Sequence, residues 1–367
     1  MPQPQLDAWH MSRALELAAA GRGYVEPNPL VGCVIAQGAE IIGEGWHRRF
    51  GGPHAEIEAL AVAGSRSAGT TLYVNLEPCC HHGKTPPCTE AVIAAGVRRV
   101  VIAHQDPFPP VAGRGVAQLQ AAGIEVCDGV GQDKALSLNA PYLKLLRTHR
   151  PWVIAKWAMT ADGKIASRSG DSRWISSEAS RQVVHELRGR VDAILVGRGT
   201  VQADDPLLTA RPPGPRVATR VVLDTGASLS SQSRLAQSAR DVPVLVAVGA
   251  RSSEVDRQRL RELGCEVYVC EGTTHGERVG ALLAESGRRR MTNVLVEGGA
   301  RVLGTLLDAG EIDEVHVFIA PVLLGGATAP GAIAGEGRAS IAEALRLHDA
   351  KWRPLAADIY LHARVRR

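Results

Sequence analysis

The sequence is poor in the features that mark several classes of protein. Aromatic residues make up only 4% of its 367 residues, and the formal net charge is +4. Nucleic-acid-binding proteins usually present a basic or aromatic surface, so nucleic acid is not expected as a partner. No apolar run reaches the length that spans a bilayer, and no charged start followed by an apolar run marks an export signal. We therefore expect no membrane association.

The cysteines show no disulfide pattern. There are seven, an odd number, without the regular spacing of a disulfide framework. Free thiols persist in a reducing compartment, which predicts a cytoplasmic protein. Cys265 and Cys270 lie in a strand pattern and are expected in a core.

The most informative stretch runs from His54 to Cys88. His54 and Glu56 lie two residues apart at a predicted helix start, and Cys79, after Pro78, is separated from Cys88 by eight residues. One imidazole and two thiolates are ligands that Zn2+ takes, and a catalytic zinc keeps a fourth position for water. A carboxylate beside that water can move protons. This layout is typical of the zinc-dependent deaminases of nucleobases.

Two plainer interpretations compete with a catalytic zinc. Cysteines can be inert core residues, and a structural zinc usually shows four Cys or His ligands in two short pairs. Here three ligands stand out, and Glu56 is a carboxylate with no other evident use. The pattern therefore favours a catalytic zinc.

Hydrophobic periodicity in the first 147 residues predicts alternating helices and strands, hence an α/β fold. Cys79 and Cys88 are both expected near helix starts, where the helix dipole favours thiolates. Asn28, between two prolines, is either part of a plain turn or an amide presented to a polar ring. Helices are predicted over residues 6–20, 55–63, 88–95 and 115–122, and strands over 40–46, 71–76, 99–103 and 124–126.

A polar, proline-stopped segment at 148–151 predicts a domain boundary between residues 1–147 and 151–367. The second part is predicted to form another, mostly parallel α/β sheet, with Ser176 or Ser177 capping a helix. Helices are predicted over residues 178–189, 254–263 and 277–285, and strands over 152–158, 191–196, 220–223, 243–248, 267–269, 293–296 and 315–319.

The strand over 293–296 runs into Glu297, Gly298 and Gly299 and then into a helix pattern. Glycines let a backbone approach a phosphate, and a helix N-terminus offers amide donors to it. The motif is not the dinucleotide fingerprint, so a glycine turn needed only for packing is an equal alternative.

Several motifs together resemble the bifunctional riboflavin-biosynthesis deaminase/reductase family. Residues 1–147 resemble its deaminase half, with a cytidine-deaminase-like α/β/α fold, and residues 151–367 resemble its reductase half, with a dihydrofolate-reductase-like α/β fold. The motifs that carry the resemblance are Pro27-Asn28-Pro29-Leu30-Val31-Gly32, Gly43-Glu44-Gly45-Trp46-His47, Pro53-His54-Ala55-Glu56, the Cys79 to Cys88 loop, Val111-Ala112-Gly113-Arg114-Gly115, Asp162-Gly163-Lys164, Gly170-Asp171-Ser172-Arg173-Trp174-Ile175, Ala203-Asp204-Asp205-Pro206-Leu207-Leu208-Thr209 and Glu297-Gly298-Gly299.

For the first half, the resemblance implies Zn2+ on His54, Cys79 and Cys88, with Glu56 shuttling protons. The family usually has Asp-Pro-Asn-Pro where this chain has Phe108 in place of the asparagine. That change removes a hydrogen-bonding side chain from the implied binding site of the sugar phosphate. The implied substrate contacts are Asn28, His47, His81, Lys84 and Asp106.

For the second half, the resemblance implies NADPH and a phosphorylated substrate. Lys156 and Glu297 are candidates for polarising or protonating the sugar, and Trp174 is alternatively a core or lid aromatic. The implied cofactor contacts are Ala158, Trp174, Thr200, Asp204, Thr225, Gly299, Ala300, Arg301, Val302, Leu303 and Gly304, and the implied substrate contacts are Ser172, Arg188, Leu208, Arg211 and Glu297.

The predicted function is therefore deamination of a phosphorylated diaminopyrimidine followed by NADPH-dependent reduction of its ribosyl group, by a homo-oligomer. Two alternatives remain. One is a deaminase of nucleosides or nucleic acid whose second half is a binding module. The other is a relative with one inactive half, which Phe108 favours on the deaminase side.

Overall fold

The computed structural model describes residues 1–82 and 86–366. The chain divides into two compact units, Met1–Thr148 and His149–Arg367. Each unit has its own sheet and its own hydrophobic core.

The first unit has a five-stranded sheet in the order β2-β1-β3-β4-β5, in which β1 is antiparallel to β2 and β3 and the other pairs are parallel. Apolar residues of α2, α3 and α4 pack on one face of the sheet, and those of α1 and α5 pack on the other. The elements are α1 (Gln3–Ala19), β1 (Gly32–Gln37), β2 (Glu40–Trp46), α2 (Ala55–Ala63), a short 3-10 helix (Gly64–Ser67), β3 (Thr71–Val74), α3 (Cys88–Ala94), β4 (Arg99–Ile102), α4 (Arg114–Ala121), β5 (Glu125–Asp128), α5 (Gln132–Leu138) and α6 (Ala140–Thr148).

Gly45 in β2 lets the start of α2 pack closely against the sheet. A Cβ added to Gly45 would lie 2.5 Å from the carbonyl oxygen of Ala55, in the first turn of α2. Only glycine permits this close approach of helix and strand. The helix start, with His54 before it and Glu56 in it, is thereby held against the sheet.

The second unit has a nine-stranded sheet in the order β10-β9-β8-β7-β11-β6-β12-β14-β13, parallel from β10 through β12 and antiparallel at β14 and β13. The elements are β6 (Trp152–Thr160), α7 (Glu178–Arg188), β7 (Ala193–Gly197), α8 (Arg198–Asp204), β8 (Thr219–Leu223), α9 (Arg234–Gln237), β9 (Val244–Gly249), α10 (Glu254–Glu262), β10 (Glu266–Cys270), α11 (His275–Arg288), β11 (Asn293–Val296), α12 (Ala300–Asp308), β12 (Glu314–Ala320), a short 3-10 helix (Ile341–Glu343), β13 (Leu347–Leu355) and β14 (Asp358–Val365).

The predicted α/β class of both halves is confirmed, and Ser177 is the N-cap of α7. Sequence patterns missed α5, α6, α8 and α9 and the terminal strands β13 and β14. The strand β13 is exposed along nearly its whole length, so it carries no buried alternation to detect. The helix α8 was missed because it is short and contains Gly199.

Cys265 and Cys270 are buried in the core of the second unit, as expected. Within the described residues, no helix combines the length and the apolar character needed to cross a bilayer.

Candidate active sites

Three potential metal ligands converge in the first unit. His54 immediately precedes α2, Cys88 begins α3, and Cys79 lies in the loop between β3 and α3. Nδ1 of His54 lies 3.2 Å from Sγ of Cys88 and 3.4 Å from Sγ of Cys79. All three ligand atoms lie within 4.8 Å of one another. This compact nitrogen and sulfur set fits Zn2+.

Cys79 and Cys88 were both expected near helix starts. Cys88 begins α3, and Cys79 lies in the preceding loop with its sulfur at the start of the same helix. The backbone amide of Cys88, at the start of α3, donates to Sγ of Cys79 over 3.4 Å. The hydrogen bond from the Cys88 thiol, together with that from His54, lowers the pKa of Cys79 to about 4. The same sharing raises the pKa of Cys88. These hydrogen bonds therefore favour the thiolate form of Cys79 over that of Cys88.

Glu56 lies beside this ligand set in the first turn of α2. Glu56 is 3% exposed, and this burial raises the pKa of its carboxyl group to about 7. In the part of the chain that the structure describes, its Oε2 atom has no hydrogen-bond partner. A carboxyl group with a pKa near neutrality and an unsatisfied oxygen is suited to exchanging protons.

Asn28 and His47 form a pair next to the ligand set. The carbonyl of Pro53 accepts from Nδ1 of His47 at 2.9 Å, which leaves Nε2 to accept from Nδ2 of Asn28 at 3.2 Å. Burial lowers the pKa of His47 and so favours this neutral form. The ring centroids of His47 and His54 are 5.4 Å apart. Asn28 is thus more than a residue of a plain turn.

Asp106 is held by a residue that the sequence did not reveal. The hydroxyl of Tyr142, on α6, donates to Oδ1 of Asp106 at 3.0 Å, and the Phe108 amide donates to the same atom at 3.0 Å. Burial raises the pKa of Asp106. The Phe108 ring lies 5.8 Å from that of His81. Lys84 lies outside the described residues.

The loop that carries Asp106 is fixed by Glu77, another residue that the sequence interpretation did not use. Its Oε2 accepts from the amides of Asp106 at 3.2 Å and Gly113 at 3.0 Å, and its Oε1 accepts from the amide of Val116 at 3.0 Å. Glu77 is 3% exposed and lies two residues before Cys79. One buried carboxylate thus connects the loop that carries Asp106 to the segment that carries Cys79.

The second unit brings together Glu297, Arg188 and Lys156. Glu297 follows β11, and Arg188 at the end of α7 donates to it through Nε at 2.5 Å and Nη2 at 2.8 Å. Nζ of Lys156, on β6, lies 3.8 Å from the same carboxylate. Burial raises the pKa of Glu297, but the two cations outweigh it and the net shift is downward. Burial also lowers the pKa of Lys156.

The main-chain oxygen of Thr209 links further basic side chains to this cluster. It accepts from Nη1 of Arg188 at 3.3 Å and from Nδ1 of His185 at 3.2 Å, while Nη1 of Arg211 donates to Oγ1 of Thr209 at 3.0 Å. The side chain of Leu208, by contrast, is buried in the core. Sequence interpretation missed His185, which lies one turn before Arg188 on α7. The gathered positive charge suits a phosphorylated ligand.

Several predicted cofactor residues lie around the turn after β11. A Cβ on Gly299 would lie 3.2 Å from Oγ1 of Thr200, so these two residues are close neighbours. Oγ of Ser172 donates to Oδ1 of Asp204 at 2.9 Å. Thr225 follows β8 at the same carboxyl edge of the parallel sheet. This is the edge at which α/β proteins bind ligands.

The predicted cofactor contacts within α12 differ in whether their side chains are buried. The side chains of Val302 and Leu303 are buried in the core, and the backbone at Gly304 packs against the carbonyl of Ala334. Any contact of these three residues with a cofactor would therefore be through the backbone. Ala300 and Arg301 form the start of the helix, where amide donors are available to a phosphate.

Of the remaining predicted cofactor contacts, Trp174 is exposed and Ala158 packs against a hydrophobic cluster. Trp174 is 70% exposed, which excludes the core alternative, and the Arg181 guanidinium lies 4.5 Å from its ring centroid. Ala158, on β6, packs beside Phe318.

Comparison with known proteins gives matches over both units. The family described as the cytidine and deoxycytidylate deaminase zinc-binding region matches residues 4–104, and the RibD C-terminal domain matches residues 151–361. The riboflavin biosynthesis protein RibD of Bacillus amyloliquefaciens is 41% identical over 360 residues, which cover 98% of this chain and 96% of that protein. The Escherichia coli K12 protein of the same name is 40% identical over 369 residues, covering 97% and 98%.

Solved structures agree over the full length. Form 1 of Acinetobacter baumannii RibD superposes with a TM-score of 0.88 at 36% identity and covers 100% of both chains. A diaminohydroxyphosphoribosylaminopyrimidine deaminase/5-amino-6-(5-phosphoribosylamino)uracil reductase from Thermotoga maritima gives 0.85 at 34% identity and covers 99% of both. This chain therefore belongs to the RibD family of bifunctional riboflavin-biosynthesis proteins, with a zinc-binding deaminase domain followed by a reductase domain.

Proposed function

We propose that the unit Met1–Thr148 deaminates a diaminohydroxypyrimidine carrying a phosphoribosylamino group, and that the unit His149–Arg367 reduces the ribosyl group of the resulting uracil with NADPH. The observation that carries the first assignment is Glu56, a buried carboxyl with an unsatisfied oxygen beside a His, Cys, Cys ligand set. The buried cluster of Glu297, Arg188 and Lys156 supports the second.

In the first unit, His54, Cys79 and Cys88 hold Zn2+, which supplies Lewis-acid activation of water. Glu56 takes a proton and delivers it to the departing amino nitrogen, a role that its pKa of about 7 favours. Asn28 and His47 hold the ring. On the sugar side, Asp106 and His81 bind the ribose phosphate, and Lys84 adds a cation there.

In the second unit, the turn at Gly299 and the start of α12 would hold NADPH, which would supply the hydride. Contacts are also proposed from Ala158, Trp174, Thr200, Asp204 and Thr225. Arg188, Arg211 and Ser172 bind the phosphorylated substrate through their side chains, and Leu208, whose side chain is buried in the core, contacts it through its backbone. Lys156 then protonates the opening sugar, and Glu297, which is an anion because its pKa is lowered, polarises the sugar and holds Lys156 in position.

The partners of this protein are small phosphorylated pyrimidines. We further propose a cytoplasmic homo-oligomer without a nucleic-acid partner. A gel-shift experiment with RNA and a mass determination in solution test these two points.

The decisive experiment compares Glu56→Gln with Glu58→Gln, a control on the same helix whose carboxylate pairs with Arg48 at the surface. We expect Glu56→Gln to lower ammonia release by about 10²–10⁴-fold, the usual contribution of general acid–base catalysis. NADPH oxidation on the already deaminated intermediate should remain, and Glu58→Gln should keep both activities.

Loss of both activities in Glu56→Gln would contradict this division of labour. If the unmodified protein lacks one of the two reactions, the alternative of one inactive half is correct. The first of these results concerns the roles of the residues, and the second concerns the function itself.

A further inference from the structure

A second cluster of potential metal ligands lies in the second unit, away from the residues used above. Glu314 and His316 are on β12, and His362 is on β14. Alternate residues of a strand share a face, and the register pairs His316 directly with His362. The three side chains therefore meet on one face of the sheet. Their ligand atoms all lie within 4.8 Å of one another.

The distances within this cluster are close to those of a metal centre. Oε1 of Glu314 lies 2.9 Å from Nε2 of His316 and 2.8 Å from Nε2 of His362. Bonds of about 2.0–2.1 Å to a metal would place neighbouring ligand atoms about 2.9 Å apart at right angles and about 3.3 Å apart in a tetrahedron. The two distances from Glu314 therefore need to change by at most about half an ångström to accept an ion, and the two imidazole ligand atoms lie within 4.8 Å of each other.

The surroundings orient these ligands in the way that metal sites do. Nε1 of Trp152 donates to Oε2 of Glu314 at 2.9 Å, which leaves Oε1 facing the imidazoles. Nδ1 of His316 lies 2.6 Å from the hydroxyl of Tyr360. Partners of this kind fix the ring orientation of a ligating histidine and the rotation of a ligating carboxylate.

We infer that Glu314, His316 and His362 form a binding site for a divalent transition-metal ion such as Zn2+, Co2+ or Ni2+. Two imidazoles and one carboxylate are ligands for these ions. Nε2 of each histidine donates one hydrogen to Glu314, and the metal takes the place of these two hydrogens. Each imidazole then carries its proton on Nδ1, and in His316 the Tyr360 oxygen accepts it, so that no proton is lost.

The ion has a route to this site. The side chain of His362 is 33% exposed and that of Glu314 is 15% exposed, whereas His316 is 2% exposed. His362 is thus the solvent side of the cluster. A bound ion would join β12 to β14 beside β6, and it would stabilise the folded chain by its binding free energy.

The test uses Co2+ and the full chain. In a Cys79→Ser, Cys88→Ser background, which removes the sulfur ligands of the first unit, we expect one equivalent of Co2+ to remain after dialysis and to raise the melting temperature. Adding His362→Gln should weaken Co2+ binding by at least tenfold and abolish the temperature shift. The matched control is His348→Gln, since His348 is on the adjacent strand β13 beside the carboxylate of Asp349. It should bind Co2+ like the background.

A chain that retains no Co2+ in this background, or that binds it equally with His362→Gln, contains only a hydrogen-bonded cluster, and the inference is then wrong. If the double serine variant does not fold, the intact chain gives the same test. A second equivalent of Co2+ without sulfur-to-cobalt charge transfer, lost in His362→Gln, supports the site, and its absence overturns it. Neither result depends on the roles proposed for the first unit.

Discussion

Glu56 and Glu297 are two buried glutamates, and they differ in whether basic side chains pair with the carboxylate. Glu56 is 3% exposed, and the side chain of Glu297 is 5% exposed. Glu56 has an oxygen without a described partner, and its pKa is raised to about 7. Glu297 is bonded by Arg188 and lies near Lys156, and its pKa is lowered.

The difference shows that burial alone does not decide what a carboxylate can do. Desolvation raises the pKa of both groups, and only the neighbouring cations reverse the shift. Glu56 can thus gain and lose a proton near neutral pH, whereas Glu297 remains an anion that holds Arg188 and Lys156 in place. The same residue type therefore has opposite pKa shifts in the two units because its neighbours differ.

The largest effect is expected from removing Arg188, the guanidinium that pairs with Glu297. Arg188→Leu leaves a buried carboxylate with only Lys156 nearby, and removal of one partner of a buried ion pair costs about 3–5 kcal/mol. We expect the free energy of unfolding measured in urea to fall by this amount and NADPH oxidation to be lost.

Arg261→Leu is the control, because Arg261 also pairs with a carboxylate, that of Glu254, but at the surface. Exposed pairs of this kind contribute about 0–1 kcal/mol. Equal losses in the two variants would show that burial of the Glu297 pair is unimportant.

Glu77 extends the comparison to a buried carboxylate that is satisfied by backbone amides. In Glu77→Gln the side chain keeps one accepting oxygen for three donors, and each lost bond to a charged acceptor costs about 1.5–3 kcal/mol. We expect a loss of about 2–3 kcal/mol in stability and a higher KM for the deaminase substrate, since the loop carrying Asp106 loses its anchor.

Glu90→Gln, an exposed position on α3, is the control for Glu77→Gln and should behave like the unmodified protein. Zinc content is measured for both variants. An unchanged KM in a folded Glu77→Gln protein would show that the Asp106 loop keeps its position without this carboxylate.

The pH dependence of stability provides a third test. The pKa of Glu297 is lowered in the folded state from its ordinary value of 4.5. Its ionised form therefore stabilises the fold above pH 4.5, and this contribution is lost as the pH falls through the folded-state pKa. Below pH 4.5 the stability of Glu297→Gln should change less steeply than that of the unmodified chain. Identical acid-unfolding profiles would contradict the assignment.

The smallest effect is expected at Phe108. The turn at Asp106 uses the backbone amide of residue 108, which any residue supplies, so the missing asparagine side chain is not needed to shape the loop. Phe108→Asn should change the deaminase KM by less than about threefold, or about 0.7 kcal/mol. A KM lowered tenfold or more would show that Phe108 weakens substrate binding directly.

Local patterns predicted much of the fold but not the contacts that complete the sites. The bounds of β2, α2 and β11 agree with the predicted ranges, because each has a clear period and a clear stop. Tyr142 was missed because it contacts Asp106 across 36 residues. His185 and Glu77 were missed for the same reason, since nothing in their own segments shows what they bond.

Chemistry that is encoded locally can be identified from the sequence: a histidine and a carboxylate two residues apart, two cysteines after a strand, and a strand that ends in Glu297 and two glycines. The opposite pKa shifts of the two glutamates, in contrast, follow from contacts between distant segments. Arg188 and Glu297 are 109 residues apart in the chain and meet only when α7 packs beside β11. A pKa depends on burial and on neighbours in space, and no stretch of sequence contains either.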